Sequence, residues 1–116
     1  MHDGGWRSAW AVLALALAVV CADAAAGAGP APARQQALLH LLFQDCGSCH
    51  GLRLTGGLGP ALTPAALAGK PAALLQQVIL DGRAGTPMPP WRPFMTEDEA
   101  AWLVHQLQTG VSDATP

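Results

Sequence analysis

Along residues 34–109 the apolar positions recur at helical spacing, and nowhere do they alternate as a half-buried strand would. Leu38, Leu41 and Leu42 stand three and four apart, with Leu39 and Phe43 widening the stripe, and predict a first helix over 34–45. Thr63-Pro64 predicts a short helical turn, with Thr63 as N-cap and Pro64 at its first position. Pro71 opens a helix to about Asp81, closed by Gly82, with Leu74, Leu75, Val78 and Ile79 on one face. Thr96 and Glu99 form a capping box for a last helix that Gly110 ends; its Trp102, Leu103 and Leu107 point broadly one way. Between these lie a Gly-rich loop over 51–60 and a Pro-rich loop over 85–93, whose four prolines forbid regular structure. Everything predicted over 34–110 is helix or loop.

A different pattern precedes this. Residues 9–20 are an unbroken apolar run behind Arg7, and Ala22-Asp23-Ala24 offers an A-x-A cleavage site. A spanning helix needs about 20 apolar residues, so this shorter run reads as a secretory signal over 1–24. Cys21 follows the run directly, but Val20 before it is bulkier than a lipoprotein site favours, and Cys21 is expected to leave with the signal. Residues 25–33 read as a flexible lead-in, 34–110 as one domain and 111–116 as a tail. Export, without stable membrane insertion after cleavage, is the expected fate. The 92 residues after Ala24 hold five basic and six acidic residues, a formal charge of −1. No basic stripe points to nucleic acid.

The chemistry lies in Cys46-Gly47-Ser48-Cys49-His50, the C-x-x-C-H pattern that attaches a c-type haem. Two thiols at this spacing match the two vinyl groups and become thioethers, and the adjoining imidazole sits under the iron. A thioredoxin-like C-x-x-C needs a βαβ setting, which is missing. A structural zinc site needs a second ligand pair, and the other His residues, His2, His40 and His105, are scattered. One covalent haem c is therefore expected on Cys46 and Cys49, with His50 as the proximal ligand. Met88, Met95, His40 and His105 are the candidates for the sixth position. Met88 is expected there, because Pro87, Pro89 and Pro90 hold it in a restricted loop outside any apolar helical stripe. Two strong protein ligands leave no iron position for substrate. That favours single-electron transfer over catalysis, and the thioether raises the reduction potential relative to two imidazoles.

The order of helix, CGSCH, Gly/Pro loop, middle helix, PMPPW loop and capped last helix resembles the class I cytochrome c fold over 34–110. The resemblance implies an all-α domain with N- and C-terminal helices packed around a covalent haem. It also implies a proline carbonyl, that of Pro60, orienting the proximal imidazole. Trp102 matches the aromatic usual in the last helix. Leu38 and Leu42 stand where that family often has Gly and an aromatic. The strings DCGSCHGLRLTGGLGPALTP, ILDGRAGTPMPPW and EAAWLV further resemble the small monohaem cytochromes of the c55X type, encoded beside the cytochrome cd nitrite reductase of denitrifying bacteria. This second resemblance implies a periplasmic electron carrier, not an enzyme. Its redox partner would be nitrite reductase or an enzyme maturing the d-type haem. The alternatives are a haem-binding subunit docked in a larger respiratory complex, or a haem enzyme with an open iron site.

Overall fold

Helix boundaries in this chain follow from local chemistry at each end. The computed structural model describes residues 29–111; the expected signal, Cys21, most of the lead-in and residues 112–116 lie outside the described residues. Regular structure among the described residues is helical: α1 (Pro32–Leu41), a π-helical turn (Leu42–Cys46), α2 (Gly47–His50), α3 (Pro64–Leu67), α4 (Ala72–Asp81) and α5 (Glu97–Thr109). α1 starts two residues before the apolar pattern does. Pro32 supplies a preset φ and lacks an N–H that the first turn would leave unpaired, so it opens the helix. The end of the expected lead-in is thus ordered. Pro30 O accepts a bond from Gln35 Nε2 at 2.8 Å, and a Cβ on Gly29 would lie 2.7 Å from Trp102 Cδ1.

The later caps agree with the sequence. Thr63 Oγ1 accepts from Ala66 N at 3.3 Å. Pro71 is the N-cap of α4, and Gly82 closes it at φ 71°. At α5, Thr96 Oγ1 accepts from Glu99 N at 3.2 Å, and Glu99 Oε2 accepts from Thr96 N at 2.8 Å. This reciprocal box satisfies two donors that a helix start otherwise leaves unpaired.

α5 is the hub on which α1, α3 and α4 pack. Its Ala100, Leu103 and Leu107 join Leu38 of α1, Leu42, Leu54, Leu67, Leu80 and Met95 in one core cluster. Leu38, Leu42, Leu103 and Val104 are the largest fully buried side chains. Each such leucine contributes about 1.5–3 kcal/mol by leaving water. α1 packs on α5 although Leu38 stands in place of a small residue; Leu38 and the small Ala100 of α5 are both fully buried in the same cluster. On α4 the buried residue is Leu80, while Leu75 and Ile79 pack half-buried against the core and Leu74 is 51% exposed.

Glu99 has a second task beyond capping. Arg34 Nε meets its Oε1 at 2.6 Å and Arg34 Nη2 its Oε2 at 3.0 Å, while Nη2 also donates to Phe94 O at 2.8 Å. This fork ties the start of α1 to the start of α5. The bond from Arg34, followed by the one from the Thr96 N–H, pulls the Glu99 carboxyl from the usual carboxylate range down to about 2.

Candidate haem-binding site

α1, the π-helical turn and α2 form one continuous helical run that ends at His50. An α-helix turns about 100° per residue, so the extra residue of a π turn rotates the rest of the helix by roughly that angle. Cys49 and His50, which follow the turn, are rotated accordingly, while Cys46, inside it, still packs against the cluster that holds Leu38 and Leu42. Cys46 and Cys49 are free thiols one helical turn apart, Cys46 half-buried and Cys49 exposed. Burial, helped by the neighbouring Asp45 carboxylate, pushes the Cys46 thiol up to about 11. Ser48 Oγ donates to Asp45 O at 2.6 Å within the same turn.

The His50 ring is buried, and its Nδ1 lies 2.7 Å from Pro60 O. A carbonyl only accepts, so Nδ1 carries the proton and the lone pair of Nε2 stays free for a metal. Gly59 packs against the ring; a Cβ there would fall 2.8 Å from both Cε1 and Nδ1. The loop between His50 and Pro60 is drawn back over the end of α2. Gly56 N donates to His50 O and Gly59 N to Cys49 O, each at 2.8 Å, which pairs carbonyls that a helix end leaves open. Leu54 adopts φ 58°, a left-handed conformation that costs a non-glycine residue about 1–2 kcal/mol. Burial of its side chain, 5% exposed, offsets that cost.

Four of the expected site residues, Cys46, Cys49, His50 and Pro60, are thus brought together. Met88 lies elsewhere, half-buried in the loop after α4, with bonds of its own. Of the other sixth-ligand candidates, Met95 is buried in the core cluster, and His40 and His105 are exposed. Among the described residues no three His, Cys, Asp or Glu side chains converge as a closed metal site. The residues fit a covalent haem: two thiols one turn apart, and an adjoining imidazole held by Nδ1 with Nε2 free.

Sequence reasoning missed the π turn and the two glycine N–H bonds over the helix end. It gave no partner for Arg92 either. Its guanidinium in fact bonds Asp81 Oδ1 at 2.8 Å and Glu97 Oε1 at 3.0 Å, joining the end of α4 to the start of α5. The fork's one signal was the pair of acidic residues at those helix ends.

Comparison with known proteins agrees with this geometry. The family described as cytochrome c oxidase, cbb3-type, subunit III, matches residues 33–105. Cytochrome c55X of Pseudomonas aeruginosa is 65% identical over 77 residues, which cover 66% of this chain and 65% of that protein. The Paracoccus denitrificans cytochrome c55X is 61% identical over 75 residues, covering 65% and 73%. That of Stutzerimonas stutzeri is 58% identical over 77 residues, covering 66% and 68%. The chain belongs to the cytochrome c55X family of c-type cytochromes.

Its cofactor is accordingly a covalent haem c. The alignments span about two thirds of the relatives' own length. A solved structure of the c-type cytochrome NirC superposes with a TM-score of 0.70 at 61% identity, over 71% of this chain and 96% of that one. It bears out the class I cytochrome c fold. The dihydro-heme d1 dehydrogenase NirN, solved in complex with DHE, matches with a TM-score of 0.58 at 33% identity. That match covers 67% of this chain but 16% of NirN. This cytochrome is therefore similar to one segment of a larger haem-handling protein.

Proposed function

We propose that this cytochrome is an exported single-electron carrier, with Cys46 and Cys49 as thioether anchors, His50 as proximal ligand and Met88 as sixth ligand. The carrying observation is the bond from His50 Nδ1 to Pro60 O, beside the two thiols. When bound, the haem supplies a one-electron ferric/ferrous couple. The chain's own residues do the rest. Pro60 fixes the ring tautomer, Gly59 admits the ring, and the buried core excludes water from one side. Met95 is committed to packing, which leaves Met88 as the available thioether. A thioether favours ferrous iron and raises the potential. With both axial positions filled by protein, the reading is a carrier, not an enzyme.

The site of action in this reading is the periplasm. No helix among the described residues is long and apolar enough to cross a membrane, which is compatible with release after cleavage near Ala24. Mass spectrometry of protein from its native host is expected to show a species lacking residues 1–24; retention of acylated Cys21 would count for the lipoprotein reading. The partner proposed is cytochrome cd nitrite reductase or an enzyme of d-type haem maturation, a choice supported by the names and likeness of NirC and NirN. Docking is expected near Cys49, where Leu52 and Leu58 stand 72% and 95% exposed. Rapid mixing of the reduced holoprotein with each purified partner tests this. Electron transfer to one, with weak dependence on salt, is expected. Transfer to neither would remove the assignment.

A docked subunit of a larger complex is the second reading. The description of the matching family, an oxidase subunit, favours it. Size-exclusion chromatography of the native protein separates the two: a free carrier elutes at the size of one small domain.

A further inference from the structure

We infer that Thr86 is the residue that positions Met88, with Gly82 as the surface on which the Met88 backbone rests. The inference rests on the reading of Met88 as an iron ligand. A methionine side chain has three rotatable bonds and does not aim itself, so its backbone must be held. Pro87, Pro89 and Pro90 have no N–H. Over residues 87–90 the only backbone donor is therefore the Met88 N–H, and it bonds Thr86 Oγ1 at 3.3 Å. The same hydroxyl donates to Arg83 O at 2.8 Å, where the Thr86 N–H also donates at 3.1 Å. Met88 O in turn accepts from Arg83 N at 3.2 Å. Arg83, Thr86 and Met88 thus form a closed ring of bonds, in which both polar backbone groups of Met88 are paired. The Thr86 hydroxyl is the only side-chain group in that ring.

Gly82 closes the loop from the other side. A Cβ there would fall 2.7 Å from Met88 O, 2.9 Å from Pro89 C and 2.9 Å from Pro90 N. Gly85, three residues on, supplies a steric contrast. Its φ is 75° against 71° at Gly82, yet a Cβ on Gly85 meets nothing within 4 Å. Alanine is strained at either positive φ, and at Gly82 the more so, because φ 71° with ψ −169° is a conformation essentially reserved for glycine. Only alanine at Gly82 displaces the Met88 backbone.

The test uses ferric holoprotein and free imidazole, which competes with a weakly held sixth ligand. Imidazole affinity and the Fe–S charge-transfer band report ligation, not overall stability. Thr86→Val, nearly isosteric but without the hydroxyl, is expected to bind imidazole about 2- to 10-fold more tightly, the equivalent of one ordinary hydrogen bond. Thr86→Ser should return to the parent value. Gly82→Ala should bind imidazole more tightly than Gly85→Ala, which stays close to the parent. Equal affinities in Thr86→Val, Thr86→Ser and the parent would overturn the role of the hydroxyl, whether or not Gly82→Ala yields holoprotein. Met88→Leu separates the ligand reading from the positioning role. If it keeps the Fe–S band, the ligand reading fails and the inference with it. If it loses the band while Thr86→Val matches the parent, the inference alone fails.

Discussion

Around His50 the chain uses bonds of 2.7–2.8 Å on a buried ring and the adjoining helix end, whereas the backbone of Met88 itself is held by bonds of 3.2–3.3 Å, with residues 83–87, 89 and 90 around it exposed. The first region is continuous with the core through the π turn and Leu42. The second hangs between α4 and α5, pinned at its far side by Trp91 N to Ile79 O and Arg92 N to Leu80 O. The contrast separates where such a site is firm from where it yields. The proximal side joins the folded core, and an atom added at Gly59 would crowd the His50 ring. The methionine side is a strap whose grip depends on a few solvent-competed bonds, so Met88 as the proposed ligand is expected to exchange before His50.

The largest effect is expected at the proximal anchor. In Cys46→Ala plus Cys49→Ala all haem should extract into acidified organic solvent, while the parent should retain its haem. Extraction of all haem from the parent would remove the covalent claim. Next comes Gly59→Ala. Gly59 is not in the left-handed region, so the cost is the contact with the His50 ring, about 1–3 kcal/mol as for other overpacked sites. Urea unfolding of the holoprotein measures it, and an unchanged midpoint would mean that the ring is free to move. On the other side, Met88→His should stay six-coordinate but lower the reduction potential by at least ~0.1 V, within the ~0.8 V that axial ligands span. Redox titration decides, and an unchanged potential would place Met88 off the iron.

The smallest effect concerns neither ligand directly but the fork that joins α1 to α5. Glu99 is depressed to about 2 in the fold by the Arg34 bond. A depressed carboxylate contributes stability that is present above its unfolded pKa of about 4.3 and is lost as pH falls through the folded value. The parent should therefore exceed Glu99→Gln in stability at neutral pH, and the gap should close between about pH 4 and pH 2. Thermal melts across that range check it. A constant gap would assign the loss to capping and packing instead of charge.

Much of this fold was legible because its punctuation is local. Thr63-Pro64, Gly82, the Thr96–Glu99 box and Gly110 act within a turn of where they stand, and the structure has them as read. C-x-x-C-H was legible for the same reason. The partners that lie far along the chain were not. Arg34 meets Glu99 across 65 residues, and no periodicity announces such a pair. The π turn left no trace either, since Leu42, Phe43 and Cys46 read equally well as α-helix. On α4 the stripe of Leu74, Leu75, Val78 and Ile79 was sound as a helix signal, and Leu75 and Ile79 do pack against the core, but the stripe did not include Leu80, the residue of α4 that is buried. Leu80 is buried in the core cluster, because the docking of α4 is decided by its partners and not by its own repeat.

The claim that Met88 and not Met95 completes the iron site is tested most directly by the ferric Fe–S charge-transfer band of two variants. Met88→Leu should abolish the band and Met95→Leu should keep it, at lower stability because Met95 fills the core. A band lost in Met95→Leu and kept in Met88→Leu would contradict this assignment.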